Sequence, residues 1–320
     1  MGSAVLLIRT HYVDAYLLEL ASELQRAVAA PVLFVVDETN GSIDTKGRPK
    51  VSLTPDSLAR IGLYAAFERP GWRCGDYGLY LAREAYPDVS HYWMIEHDVA
   101  LRFQNLADFF ARFSQETADF ICGELGPADK SWYWHQSMCA HYQQVYKCLF
   151  AVTRISGKAL DYMVARRRML GQAHSRPVQG VGALWPNDEA FVATELVNNG
   201  YECRDLNSPD DQLYTSETFC FGTPLARSDL DSRVLDNRIY HPVLSGEHYF
   251  SKLYGAMKTD SDREHVHREI TRLVGKEWSA TDARHYANIV DGVVFPGDDW
   301  RCKTRAWVRR AVRMTRPVRS

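Results

Sequence analysis

The stretch His91–Leu101, HYWMIEHDVAL, decides how the chain is read. An apolar, aromatic run (Tyr92, Trp93, Met94, Ile95) ends abruptly at Glu96-His97-Asp98. The run is too short for its period to separate strand from helix. Its ring content and the Pro87-Asp88-Val89-Ser90 turn before it favour a buried strand. Alternate side chains of a strand share a face, so Glu96 and Asp98 are expected to point the same way. Two carboxylates closing a buried strand repel each other, and a cation between or beyond them relieves that. Mg2+ or Mn2+ with oxygen ligands is the economical candidate. The carboxyl edge of an open α/β sheet is also where ligands usually bind. The competing reading is that Glu96 and Asp98 are polar residues where a strand surfaces.

Upstream, Ala4–Ile8 is a continuous apolar run stopping at Arg9-Thr10-His11, as a strand buried on both faces would. Tyr12–Ala29 has helical spacing, and Pro31–Val36 is a second buried strand ending at Asp37-Glu38. This β-α-β order within 40 residues points to a doubly wound sheet. Residues 39–56 read as a loop, Pro70–Asp76 as a turn and Tyr77–Ala85 as a helix.

Downstream, Asn105–Phe113 reads as a helix, Ala118–Cys122 and Cys148–Val152 as strands, and Gly157 to about Met169 as a helix. Arg166-Arg167-Arg168 would close that helix, where positive charge suits the macrodipole. Between the strands, residues 124–147 carry Trp132, Tyr133, Trp134, Tyr142 and Tyr146 without a period, as in a loop or lid. Asn187-Asp188-Glu189 heads a helix ending near Asn198, with Asn187 or Asp188 as its cap. Tyr201–Leu206 reads as a short strand, residues 207–237 as irregular, and residues 250–290 as helical. Ile239–Val243 is a short apolar run carrying His241, a histidine that its proline neighbour also makes a structural candidate.

The totals exclude several classes. Of 320 residues, 46% are hydrophobic and 24% charged, ordinary for a globular protein. Net charge is −2, but residues 301–320 hold eight bases and no acid, leaving 30 bases against 40 acids in residues 1–300. That asymmetry bears on partners rather than on fold. Seven scattered cysteines contain no C-x-x-C, so zinc and thioredoxin-like readings lack support and reduced thiols are expected. The first residues do not read as a signal peptide, and no apolar run approaches the ~20 residues that cross a bilayer. Gly-x-Gly-x-x-Gly, the P-loop and the G-x-S-x-G elbow are all absent.

Taken in order, these features resemble the GT-A class of nucleotide-sugar glycosyltransferases over roughly residues 3–250. They are Ile8-Arg9-Thr10, Val36-Asp37, the helix from Gly75, the D-x-D-like Glu96-His97-Asp98, the segment Leu149–Asp161, Asn187-Asp188-Glu189 and His241. Glu96 departs from the class, standing where the motif has its first Asp. The resemblance implies an α/β, Rossmann-like mixed sheet with helices on both faces. It implies a nucleotide half at about 1–100, an acceptor half at about 101–250, a helical extension at 251–300 and a basic tail at 301–320.

It further implies a site. Asp98, Glu96 and His241 would hold Mn2+ or Mg2+. Arg9, Thr10, Asp37 and Asp76, with Glu96 and Asp98, would bind the nucleotide. Asp188 would be the base that activates the acceptor in an inverting transfer; if it caps the helix, the base is Glu189. Trp132, Trp134 and Arg154 would meet the acceptor, the aromatic stretch being otherwise a second layer of core. The expected partners are a nucleotide-sugar donor, with uridine preferred, and a glycan or lipid-linked acceptor. The basic tail with Trp307, Val308, Val312 and Met314 suits an anionic membrane surface. Nucleic acid is not expected, and the location is cytoplasmic, on or near the inner membrane face. Two other functions stay open: a sugar nucleotidyltransferase, although no glycine follows the first strand, and a non-catalytic carbohydrate-binding protein on a degenerate transferase fold.

Overall fold

The computed structural model describes residues 3–66, 69–174, 185–222 and 224–257. The basic tail and residues 258–300 of the expected helical extension lie outside these. The chain divides into two units, Met1–Phe219 with Leu235–Tyr240, and Cys220–Val234 with His241–Ser320.

The first unit is built on a seven-stranded sheet. Its strands are β1 (Ala4–Thr10), β2 (Val32–Asp37), β3 (Lys50–Leu53), β4 (His91–Glu96), β6 (Phe120–Pro127), β7 (Tyr146–Ser156) and β8 (Cys203–Asp205), in the order β3-β2-β1-β4-β7-β6-β8. β1 pairs in parallel with β2 and β4, β2 with β3, and β6 with β8. β7 runs antiparallel to both β4 and β6. All strands but β7 therefore point one way, and their carboxyl ends share an edge. A separate pair, β5 (Ala100–Arg102) with β10 (Arg238–Tyr240), is antiparallel.

Strand periodicity sorts the apolar residues onto two faces. Val5, Leu7, Leu33, Val35, Tyr92 and Met94 enter one core with α4 (Asp76–Ala85), α6 (Gly157–His174) and α7 (Asp188–Asn198). Leu6, Ile8, Phe34, Val36, Trp93 and Ile95 enter the other with α1 (Ala15–Ala27) and α5 (Leu106–Arg112). Helices on both faces explain why the central strands read as unbroken apolar runs. This is the expected α/β mixed sheet with helices on both faces. Asp14 caps α1 by accepting from Leu17 N at 2.9 Å, and Asn105 caps α5 through Ala107 N at 3.2 Å.

Several elements differ from expectation. Residues 39–56 contain β3 and the start of α2 (Pro55–Arg60), capped by Thr54. The turn at Pro70–Asp76 contains the one-turn helix α3 (Pro70–Arg73). α6 runs on to His174, so Arg166–Arg168 lie inside it rather than at its end. Arg166 pairs with the buried Glu195, and Arg168 Nε donates to Ile61 O at 2.7 Å.

The second unit contains β9 (Leu225–Ala226), α8 (Arg227–Asp231), β11 (Val243–Leu244) and α9 (Gly246–Met257). β9 and β11 pair in parallel, and Arg227 donates to Val243 O at 3.1 Å. Residues 207–237, expected to be irregular, thus include a strand and a helix. No described helix is long and apolar enough to cross a membrane.

Candidate active site

The site lies where β1 and β4 end side by side, with Arg9 directly opposite Glu96 in the parallel register. Strand geometry stops at Glu96. Val99 N donates to Glu96 O at 3.1 Å and His97 N to Arg9 O at 3.0 Å, folding Glu96–Val99 into a tight turn. The turn, not strand alternation, brings Asp98 to Glu96, which corrects the sequence-based reason for their proximity. Each offers a carboxylate oxygen within 4.8 Å of the other, and Asp98 is only 6% exposed. Burial lowers the His97 imidazole to a pKa of about 4, against the pull of Asp98, so the residue between the two acids is neutral at pH 7.

One cation beside these acids comes from the chain. Arg9 Nη2 is 3.1 Å from Glu96 Oε1, and its Nη1 is 3.0 Å from Asp188 Oδ2. Burial opposes the charge on Arg9, but Glu96 and Asp188 outweigh it and raise its pKa further. Arg9, expected against a nucleoside, is therefore the bridge between the two acidic segments. Gly75 N donates to the same Asp188 oxygen at 2.8 Å. A Cβ at Gly75 would fall 1.4 Å from Arg9 Nη1 and 2.5 Å from Asp188 Oδ2, so only glycine fits with the bridge in place.

Asn187 caps α7, accepting from Ala190 N at 3.0 Å. The competition over the cap is thereby resolved, and Asp188 and Glu189 become the first helical residues. Asp188 Oδ1 accepts from Glu189 N at 2.9 Å, so both of its oxygens are engaged. Glu189 Oε2 accepts from Asn187 Nδ2 at 3.1 Å. Burial raises Asp188; Arg9 and Gly75 N–H pull it back, Asp76 and Glu96 add to the rise, and the result is about 6. Burial, followed by Asp188 and Glu96, likewise raises Glu189.

At the end of β2, Asp37 Oδ1 accepts from Thr39 N at 3.1 Å and from Thr39 Oγ1 at 2.7 Å. A cavity of about 550 Å³ opens next to it, lined by Thr39, Asn40, Pro55, Leu58, Ala65, Arg69 and Pro70. It sits beyond the carboxyl ends of β2 and β3. Thr10 is 2% exposed, and its hydroxyl binds the backbone of Tyr12.

Asp76, expected at the base or ribose, is instead sealed in the core. It is 0% exposed, receives Arg167 Nε and Nη2 at 2.8 and 3.0 Å, and accepts from Tyr80 at 2.8 Å. Arg154, expected on the acceptor side, is 5% exposed and donates to Glu116 O at 2.8 Å. It pairs with Trp93, three residues short of Glu96 on β4, hence towards the opposite edge of the sheet. Trp132 and Trp134 are half-buried against the core. Trp134 also meets exposed rings, Tyr133 at 4.6 Å and Trp72 at 6.3 Å, and lies under the Arg73 guanidinium.

His241 belongs to the second unit. Its Nδ1 lies 2.7 Å from Cys220 O. A carbonyl only accepts, so the proton sits on Nδ1 and Nε2 is the basic nitrogen. A ring oriented through Nδ1–H to a carbonyl is typical of metal-ligating histidines. The two carboxylates of the first unit, Glu96 and Asp98, fit a divalent cation taking oxygen ligands.

Sequence reasoning left the cap open between Asn187 and Asp188, and it did not single out Gly75 or Arg167 as holding the site together. Gly75 stood in a visible turn, but the lack of room for a Cβ arises from segments over a hundred residues apart.

No family model matches the chain, and no curated protein matches it. Many solved structures resemble it, and two of them do so at low identity. One is a glycosyltransferase involved in glycosylation of the major capsid protein of PBCV-1, at 10% identity and TM-score 0.28, covering 54% of this chain and 69% of that one. The other is core-mannan synthase A (CmsA/Ktr4) of Aspergillus fumigatus in its Mn/GDP form, at 11% identity and TM-score 0.39, covering 69% and 81%. With both scores below one half, the functional reading rests on the site's own residues.

Proposed function

We propose that the chain is a metal-dependent glycosyltransferase that moves a sugar from a nucleotide diphosphate to a hydroxyl of a glycan or lipid-linked acceptor. One observation carries this reading. Arg9, Glu96, Asp98, Asp188 and Glu189 meet at the carboxyl edge of a parallel strand pair, with a cavity of nucleoside size beside Asp37.

Asp98 and Glu96 would hold Mn2+ or Mg2+; His241, the third ligand expected from the sequence, belongs to the second unit. When bound, the ion neutralises charge on the departing diphosphate. Asp37 and the cavity lined by Thr39, Asn40 and Arg69 would seat the nucleoside. Glu189 is the stronger choice for the base. Asp188 is committed to Arg9, Gly75 and the Glu189 amide, whereas the Glu189 carboxylate holds one bond to Asn187. Its raised pKa suits a group that must take a proton from a hydroxyl. Asp188 then fixes the head of α7 against Arg9. The rings of Trp134, Tyr133 and Trp72 offer a stacking surface for an acceptor sugar.

The test is turnover of UDP- and GDP-sugars with Mn2+. Asp98→Ala should abolish turnover, a loss of about 10²-fold or more for a charge-stabilising group; full activity in that variant would refute the metal reading. Trp134→Ala should raise the acceptor KM more than the donor KM, and equal changes would assign the ring to the core.

A further inference from the structure

A fully buried ion pair lies beside the site. Arg167 and Asp76 are both 0% exposed. Arg167 gives Nε and Nη2 to Asp76, and Nη1 to Pro186 O at 2.8 Å. Its guanidinium lies 3.8 Å from the Phe191 ring centroid and is flanked by Tyr77 and Trp185. Desolvating such a pair costs so much that apolar residues of equal volume often match it in stability. Stability alone therefore gives little reason for it.

Its position supplies another. Asp76 follows Gly75, whose amide holds Asp188, and Pro186 precedes Asn187 and Asp188 by one and two residues. One planar fork thus grips both chain segments that meet at the Gly75–Asp188 hydrogen bond.

We propose that Arg167 is a positioning residue that sets the spacing between the heads of α4 and α7, and through it the placement of Asp188 and Glu189. This rests on the reading of that pair as the acceptor-activating carboxylates. A lysine does not replace the fork, because one ammonium cannot reproduce three N–H bonds in a fixed plane.

The test compares the wild-type protein with Asp76→Leu/Arg167→Met, which removes both charges at similar volume, and with Arg167→Lys. Three quantities are read: the melting temperature, amide exchange at Gly75, and kcat with donor KM on a nucleotide sugar plus Mn2+. The double variant should melt cooperatively while Gly75 exchanges about tenfold faster, the equivalent of one lost charge-assisted hydrogen bond. Its kcat should fall about tenfold or more at a nearly unchanged donor KM. Arg167→Lys should accelerate Gly75 exchange in the same direction, and it provides the readout if the double variant does not fold. Wild-type protection of Gly75 in the folded variants, or an unchanged kcat, overturns the proposal. If the wild-type protein turns over no nucleotide sugar, the transferase reading fails, while loss of Gly75 protection still supports the clamp.

Discussion

Arg9 shows how much one side chain decides here. It bridges Glu96 and Asp188, and the space it needs is kept by the missing Cβ of Gly75. Gly75→Ala should leave the fold intact but displace the guanidinium, since a side-chain tip moves more cheaply than a packed core. Activity should drop by about tenfold or more, the scale of one lost charged hydrogen bond, and a crystal structure should show the Arg9–Asp188 pair broken. An intact bridge with full activity would contradict this. The same cluster sets a pH dependence. Asp188 ionises at about 6 in the fold, and Glu189 is shifted upward too. The base works only when ionised, so the acid limb of kcat/KM should lie above the ordinary carboxylate range, with activity lost as pH falls through it. An acid limb at the ordinary carboxylate value would remove Glu189 and Asp188 from the chemistry. The acids and Arg9 were legible in sequence because they end apolar runs. Their partnership was not, because Asp188 lies 179 positions from Arg9.

Among the elements, the long central strands were readable because burial on both faces leaves an unbroken apolar run. β3 was hidden for the opposite reason. It is a four-residue edge strand, Lys50–Leu53, with only Val51 and Leu53 apolar. It is held to the chain after β2 by Glu38, which accepts from Ile43 N at 2.6 Å and from Lys50 Nζ at 2.7 Å. Burial opposes ionisation of Glu38, but the Ile43 amide and Lys50 win and bring it from 4.5 to about 2. A carboxyl depressed in this way stabilises the fold above its unfolded value, and the contribution is lost as pH falls from 4.5 towards 2. Glu38→Gln should cost about 2 kcal/mol at pH 7 and flatten the stability curve in that acid window. Equal stability of the two proteins at pH 7 would contradict the assignment. The helix bearing Arg166–Arg168 was cut short in the sequence reading because three consecutive bases resemble a C-terminal turn. Burial of Arg167 against Asp76 is a tertiary fact that no local pattern announces.

For the molecule as a whole, alternating strands and helices were enough to give the class of sheet, and the tight run at Glu96–Asp98 marked the edge where the acids gather. What composition and spacing could not supply was which polar residues turn inward. Asp76 and Arg154 look like surface groups in sequence, and each is buried with its own partner. The account depends on the carboxylates at the end of β4 holding a divalent ion against a pyrophosphate. Titration calorimetry of UDP and GDP, with and without Mn2+, tests that most directly in the wild-type protein and in Asp98→Ala. The account predicts diphosphate binding that requires Mn2+ and disappears in Asp98→Ala while the melting temperature holds. Mn2+-dependent binding of equal strength in the folded variant would contradict it.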